Sequence, residues 1–155
     1  MKVESQNYFL PKDPEYQQRV SDSFALQSIM HTLGARLTSC KPGQVHITLP
    51  YDAKLCQQHG FIHGGIVATI LDSACGYAAF SLMPSDAEVL SIEFKTNLLA
   101  PAKGEIFHAM GRVIKSGRTI SVAEASLYAI DSEQQKMIAT MSCTLMAVYH
   151  HQPKG

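Results

Sequence analysis

The stretch FIHGGIVATILDSACGYAAFSLM, Phe61–Met83, decides how this chain is read. From Gly65 to Met83 almost every position is apolar or small, and the run meets no proline until Pro84. It is too long for a strand and reads as a buried helix stopped by that proline. Its Gly, Ala and Ser content, its single carboxylate and the lack of flanking Lys or Arg clusters separate it from a membrane span. The carboxylate, Asp72, raises the first question, because a buried ionised carboxylate is costly unless it is paired. The glycines raise the second. A helix start leaves backbone N–H groups without intrahelical partners and carries partial positive charge. Gly64 and Gly65 have no side chains to shield those groups, so a carbonyl oxygen brought there would find an oxyanion hole, worth about 3 kcal/mol per donor in a transition state. A tight turn into a helix uses glycine as well. Asp72 follows Gly65 by seven residues, which puts it on about the same face but roughly 10 Å further along the axis. Asp72 therefore does not reach a carbonyl held by its own Gly65. Either the two features are unrelated, with Asp72 bonded to neighbours such as Thr69 or Ser73, or a second copy in a two-fold antiparallel arrangement brings its Asp72 to this glycine turn.

Working outward, Pro14 to about His31 reads as a helix, with Asp13 as cap, Pro14 in the first turn, and Phe24, Leu26, Ile29 and Met30 as apolar contacts. Gly34 lies just beyond its end. ARLTSC and QVHITLP are strand candidates split by Lys41-Pro42-Gly43, a hairpin signal, and Val45, Ile47 and Leu49 share one face of the second. Residues 51–63 read as a loop. After the long helix the chain changes character. Glu88–Leu99, Glu105–Lys115, Thr119–Ile130 and Lys136–Tyr149 read as strands separated by turn-forming segments. Helix, hairpin, long helix and four meandering strands make an α+β fold, an antiparallel sheet covering one main helix. The 155 residues form a single domain. Residues 1–31 are an N-terminal extension and helix, and 150–155 (HHQPKG) are a tail.

The chain is 46% hydrophobic and 17% charged, with 13 basic and 13 acidic side chains. That is a globular composition, and no global basic field points to nucleic acid or an anionic membrane. Cys40, Cys56, Cys75 and Cys143 form no C-x-x-C pair and no zinc spacing, so a reduced, cytoplasmic protein is expected. The polar start MKVESQNYFLPKDPEY lacks the apolar core of a signal peptide. His59 and His63 lie four apart without a third ligand nearby in sequence, so no metal is expected; His63 is read as ordering the glycine turn, with a direct role in the site, beside a possible anion hole, as the lesser alternative. Met83, Met110, Met137, Met141 and Met146 are expected to fill core or tunnel space.

The pattern His63-Gly64-Gly65 to Asp72, followed by SIEFKTNLLAPAKGE at Ser91–Glu105 and GRVIKSGRTISVAEASLYAI at Gly111–Ile130, resembles the hot-dog thioesterases of the PaaI type. The resemblance covers roughly residues 30–148. It implies a sheet wrapped around a central helix, dimers with a continuous sheet that often pair into tetramers, and hydrolysis of acyl-coenzyme A thioesters at the dimer interface. By position it makes Asp72 the nucleophile or the general base and makes the Gly64 amide, with Gly65, the group that polarises the carbonyl. Ser91 matches a hydroxyl that helps position water in some relatives. Gln57 stands where many relatives have Asn, keeping the amide donor on a longer arm. The turn Ser116-Gly117-Arg118-Thr119, with Lys115, reads either as a solvated hairpin turn or as a contact for the coenzyme A phosphates, and the resemblance favours the latter. Lys95 and Lys103 are weaker candidates of the same kind.

The chemistry needs no cofactor, since a thioester has a good leaving thiolate and a base plus a carbonyl-polarising dipole suffice. No G-x-S-x-G elbow or cysteine-nucleophile signature is present. Two alternatives stand beside the hydrolase. One is a hot-dog module that binds acyl-CoA without turning it over. The other is a dehydratase of hydroxyacyl thioesters, for which His63 lacks the sequence context. Retention of Asp72 favours the hydrolase.

Overall fold

The computed structural model describes residues 9–149, so the polar start at 1–8 and the HHQPKG tail lie outside the described residues. The elements run α1 (Tyr16–Leu26), α2 (Ser28–Leu33), β1 (Arg36–Lys41), β2 (Gln44–Pro50), a short 3-10 turn (Ala53–Leu55), α3 (Gly64–Phe80), β3 (Ala87–Leu98), β4 (Ile106–Ser116), β5 (Ile120–Asp131) and β6 (Gln134–Tyr149). The strands form one six-stranded antiparallel sheet in the order β1-β2-β4-β5-β6-β3. α3 packs against five of them, β2 to β6.

Alternation along the strands builds the core. Val45, Ile47 and Leu49 of β2, Phe107 and Ala109 of β4, Ala123, Ala125 and Leu127 of β5, and Met141, Cys143 and Leu145 of β6 all turn inward and are buried. They meet Ile70, Leu71, Ala74 and Ala78 of α3. Small residues set how closely the helix nests in the sheet. At Gly111 of β4 an added Cβ would lie 2.3 Å from the Ala74 carbonyl oxygen, a separation no side chain tolerates. The curl of the sheet around α3 thus depends on glycine at that point.

Four sequence expectations are corrected. The first helix is two, broken at Gln27, whose ψ of 99° is extended and whose N–H turns back to the Phe24 carbonyl. The buried faces explain the break: Val20 and Phe24 of α1 and Met30 and Leu33 of α2 are buried, and the step of six from Phe24 to Met30 is out of phase with a single 3.6-residue helix. Leu26 and Ile29, expected as apolar contacts, are therefore exposed. Asp13 acts one turn early: its Oδ1 accepts the Glu15 N–H at 2.9 Å, while the residue flanking α1 is Glu15 itself. α3 starts at Gly64 and ends at Phe80 rather than Met83. Beyond Phe80 the chain tightens into bonds three residues apart, Leu82 to Ala79 and Met83 to Phe80, because the residue before Pro84 is disfavoured in the α conformation. Of the methionines, Met83 and Met141 are buried, but Met110 and Met137 are exposed.

Arg19 of α1 closes this end of the molecule. Its guanidinium donates to the carbonyls of Phe80, Met83, Pro84 and Ala87 at 2.6–3.4 Å, and its Nε sits 3.0 Å from Asp13 Oδ2. The same group lies 4.3 Å over the Phe80 ring. It supplies positive charge where a helix C-terminus needs it and locks the N-terminal helix to the core.

Candidate active site

Among the first donors of α3, one is left over. His63 is the N-cap. Its Nδ1 accepts the Gly65 N–H at 2.8 Å, and its carbonyl accepts from Ile66 and Val67 at 2.9 and 3.1 Å. The Gly64 N–H has no partner among the described residues, so the dipole of the long helix presents this amide to an incoming oxygen. Gly65, expected as a second donor, spends its N–H on His63. Glycine at 64 also admits a close neighbour, since a Cβ there would lie 2.9 Å from Leu98 Cδ1. Gln57, Phe61, Val67 and Leu98–Ala102 complete a cleft of about 540 Å³ around this amide. Gln57 reaches the cleft, although its side-chain oxygen is engaged by the His59 N–H.

Asp72 lies two turns on and lines a different cleft, about 470 Å³, with Ser23, Leu26, Gln27, Ser73, Tyr77 and Val89–Ser91 among its walls. It is half-buried. Its bonding partner is neither Thr69, which donates to the Gly65 carbonyl, nor Ser73. Ser91 Oγ on β3 donates to Asp72 Oδ1 at 2.6 Å, a short charge-assisted bond. Behind this pair sits Cys143, with its Sγ 3.9 Å from Asp72 Oδ1 and 4.0 Å from Ser91 Oγ. The neighbouring Cys143 and burial raise the Cys75 thiol, while the neighbouring Cys75 lowers Cys143 against the upward push of that residue's own burial. Asp72 Oδ2 accepts no bond among the described residues. The chain thus holds a carboxylate with one oxygen fixed and one open, and, in a separate cleft, an unpaired helix-terminal amide.

The turn Ser116–Thr119 joins β4 to β5. Arg118 and Lys115 are exposed, the Gly117 N–H donates to the Ile120 carbonyl, and none of these residues lines either cleft of the chain. Lys95 donates to Asn97 Oδ1 at 3.0 Å, and Lys103 is exposed. Among the described residues no group of three or more His, Cys, Asp or Glu side chains is placed to hold a metal, and no helix is long and apolar enough to cross a membrane. Sequence reasoning missed Cys143, Ser23, Gln27 and Tyr77 as neighbours of Asp72. Cys143 lies 71 residues from Asp72 in the chain, and the packing of α3 on β6, beside β3, brings it there.

A six-stranded antiparallel sheet closed on one long helix, with an open amide at the helix start and a carboxylate two turns on, defines a hot-dog thioesterase. The chain belongs to the thioesterase superfamily, whose family model matches residues 59–136, and it is a thioester hydrolase. A thioesterase family protein from Silicibacter pomeroyi is 56% identical, superimposes with a TM-score of 0.86, and is matched over 86% of this chain and 98% of its own. The PaaI protein from the Escherichia coli phenylacetic acid degradation operon shares the fold at 19% identity, with a TM-score of 0.79 over 88% of this chain and 96% of its own. Among sequence relatives, a 1,4-dihydroxy-2-naphthoyl-CoA hydrolase from Listeria monocytogenes is 25% identical over 76% of this chain and 93% of its own length.

Proposed function

We propose that this protein hydrolyses an acyl-coenzyme A thioester in a site shared by two copies of the chain, with Asp72 of one copy acting on a carbonyl held by Gly64 of the other. The observation that carries the reading is the separation of the two groups: on one helix they open into two different clefts. β3 offers the means of joining them. It is an edge strand, and Leu90, Ile92, Phe94 and Leu98 on it are 46–60% exposed, an apolar edge that calls for a pairing partner. Ser91 of β3 bonds Asp72, and Leu98 of β3 covers Gly64. An antiparallel β3–β3 pairing with its two-fold axis at Lys95, counted across the bulge between Ser91 and Glu93, sets Ser91 of each copy opposite Leu98 of the other.

In such a site Ser91 holds Asp72 Oδ1 and leaves Oδ2 to take a proton from water. The water oxygen bonds to the thioester carbon, and the developing oxyanion is received by the Gly64 N–H. Collapse of the tetrahedral species breaks the carbon–sulfur bond, and the thiolate leaves with the proton that Asp72 carried. Arg118 and Lys115, exposed at the β4–β5 turn with Ser116 and Thr119, are read as contacts for the coenzyme A phosphates. No metal or redox group is needed in this scheme. The acyl-CoA specificity of the Listeria relative supports coenzyme A as the thiol.

The test is thiol release from an acyl-CoA panel, acetyl to palmitoyl with phenylacetyl and 4-hydroxybenzoyl, by wild type and Asp72→Asn. The expected result is turnover of at least one member, reduced on the order of a thousand-fold by the substitution while binding persists. Equal turnover in both proteins would make Asp72 structural. Binding without turnover by wild type would make the chain a non-catalytic acyl-CoA module.

A further inference from the structure

The cleft that holds Asp72 is not built by the sheet and the central helix alone. Ser23, Leu26 and Gln27, at the elbow between α1 and α2, form one wall of it, facing Ser73 and Tyr77 of α3. This wall is polar. Ser23 Oγ lies 3.3 Å from the Tyr77 hydroxyl, and Ser73 Oγ donates to Gln27 Oε1 at 3.5 Å. The Gln27 amide nitrogen has no acceptor among the described residues. Burial raises the Tyr77 phenol above its ordinary value, so it stays a neutral donor and acceptor at physiological pH.

The elbow is also held in place. Arg19 ties α1 to the carbonyls beyond α3, and Phe24 packs against Tyr77 with ring centroids 5.6 Å apart. At the break itself Gln27 donates its N–H to Phe24 and accepts from Met30 at 3.1 and 3.0 Å. Its polar atoms are therefore presented in a fixed arrangement, the condition under which hydrogen bonds discriminate between ligands. A saturated chain entering the cleft would strip water from these groups and return nothing. A hydroxyl or carbonyl on the acyl group would replace that water, and each such bond is worth about ten-fold in affinity. Leu26, Val89 and Leu90 leave apolar surface for the carbon skeleton.

We infer that the α1–α2 elbow is the specificity wall of the Asp72 cleft. Gln27, with the Ser23–Tyr77 pair, selects acyl groups that carry a hydrogen-bonding substituent remote from the thioester over unsubstituted groups of the same skeleton. The inference rests on the reading of this cleft as the acyl site.

The experiment uses a matched pair of non-hydrolysable thioethers, S-phenacyl-CoA and S-(4-hydroxyphenacyl)-CoA. Their binding to the full chain is measured by calorimetry for wild type, Gln27→Leu and Ser23→Ala, beside kcat/KM on benzoyl-CoA and 4-hydroxybenzoyl-CoA. Wild type should prefer the hydroxylated analogue about ten-fold, and either variant should compress that preference to about two-fold. A preference ratio does not move when a substitution merely loosens the fold. Equal binding of the two analogues by wild type, an unchanged ratio in both variants, or no binding of either analogue overturns the assignment. Discriminating binding without turnover of these two thioesters or of any member of the acyl-CoA panel would sink the hydrolase reading and leave the elbow as the specificity wall.

Discussion

Ser91 shows how much of the candidate site depends on a single hydroxyl. Asp72 projects from an otherwise apolar helix and is half-buried, so each of its oxygens needs a partner or access to water. The Ser91 bond at 2.6 Å satisfies one oxygen and fixes the carboxylate plane, which aims the other. Cys143, with its Sγ 3.9 Å from Asp72 Oδ1, is a weak donor and does not replace it. Ser91→Ala should therefore lower kcat roughly ten- to hundred-fold, the value of one hydrogen bond to a charged acceptor, with a smaller change in KM. Ser91→Thr keeps the hydroxyl and should recover most of the loss. Steady-state kinetics on the preferred acyl-CoA decides it: an alanine variant with wild-type kcat would mean that the Asp72 carboxylate needs no orienting partner.

At the scale of elements, the molecule is held together at one point that its sequence does not advertise. Arg19 spans α1, the exit of α3 and the start of β3, and its side chain is only 18% exposed. Removing it leaves Asp13, which is 6% exposed, without its ion-pair partner and takes a charged donor from the carbonyls of Phe80, Met83, Pro84 and Ala87. Arg19→Ala should cost about 3 kcal/mol in chemical denaturation and lower Tm by roughly 10 °C, with Arg19→Lys intermediate because an ammonium cannot fork between carbonyls. A loss below about 1 kcal/mol would show that α1 docks through Val20 and Phe24 alone. The strands, the Pro42-Gly43 hairpin and the long helix were legible because alternation, turn residues and a proline stop are local signals. Arg19 was not, because its partners are carbonyls 61 to 68 residues away and the exposed run of an N-terminal helix looks like solvated surface. The break at Gln27 was written in the sequence as the six-residue step between Phe24 and Met30. Helix-forming residues on either side of that step masked it. The same distinction holds at the site. The glycines and Asp72 stand out in the local pattern, whereas the elbow residues that wall the Asp72 cleft become neighbours only through tertiary packing.

For the whole molecule, the decisive question is whether one chain or two make a site, and the helix start provides the means of asking it. Gly64 is the first residue of α3, where proline is tolerated because the N–H has no intrahelical partner. His63 before it is already extended, at φ −60° and ψ 139°, as a residue preceding proline must be. Gly64→Pro thus deletes the open amide while keeping the helix start, displacing only the end of the Leu98 side chain. Alone it should reduce kcat by about a hundred-fold or more, as the loss of an oxyanion donor does. Asp72→Asn alone should be nearly inactive as well. When the two inactive variants are co-expressed and assembled together, a shared site predicts a particular recovery. Each mixed pair has one site with both lesions and one with neither, so a random mixture regains roughly a quarter of wild-type activity. If Asp72 and Gly64 act within one chain, every site in the mixture carries one lesion and the activity stays at the level of the separate variants. The measurement is the specific activity of the mixture against the two parents, with the oligomeric state of each checked by sedimentation. Recovery would tie function to the apolar β3 edge that one chain leaves unpaired, because that edge would then be the element that assembles the active site.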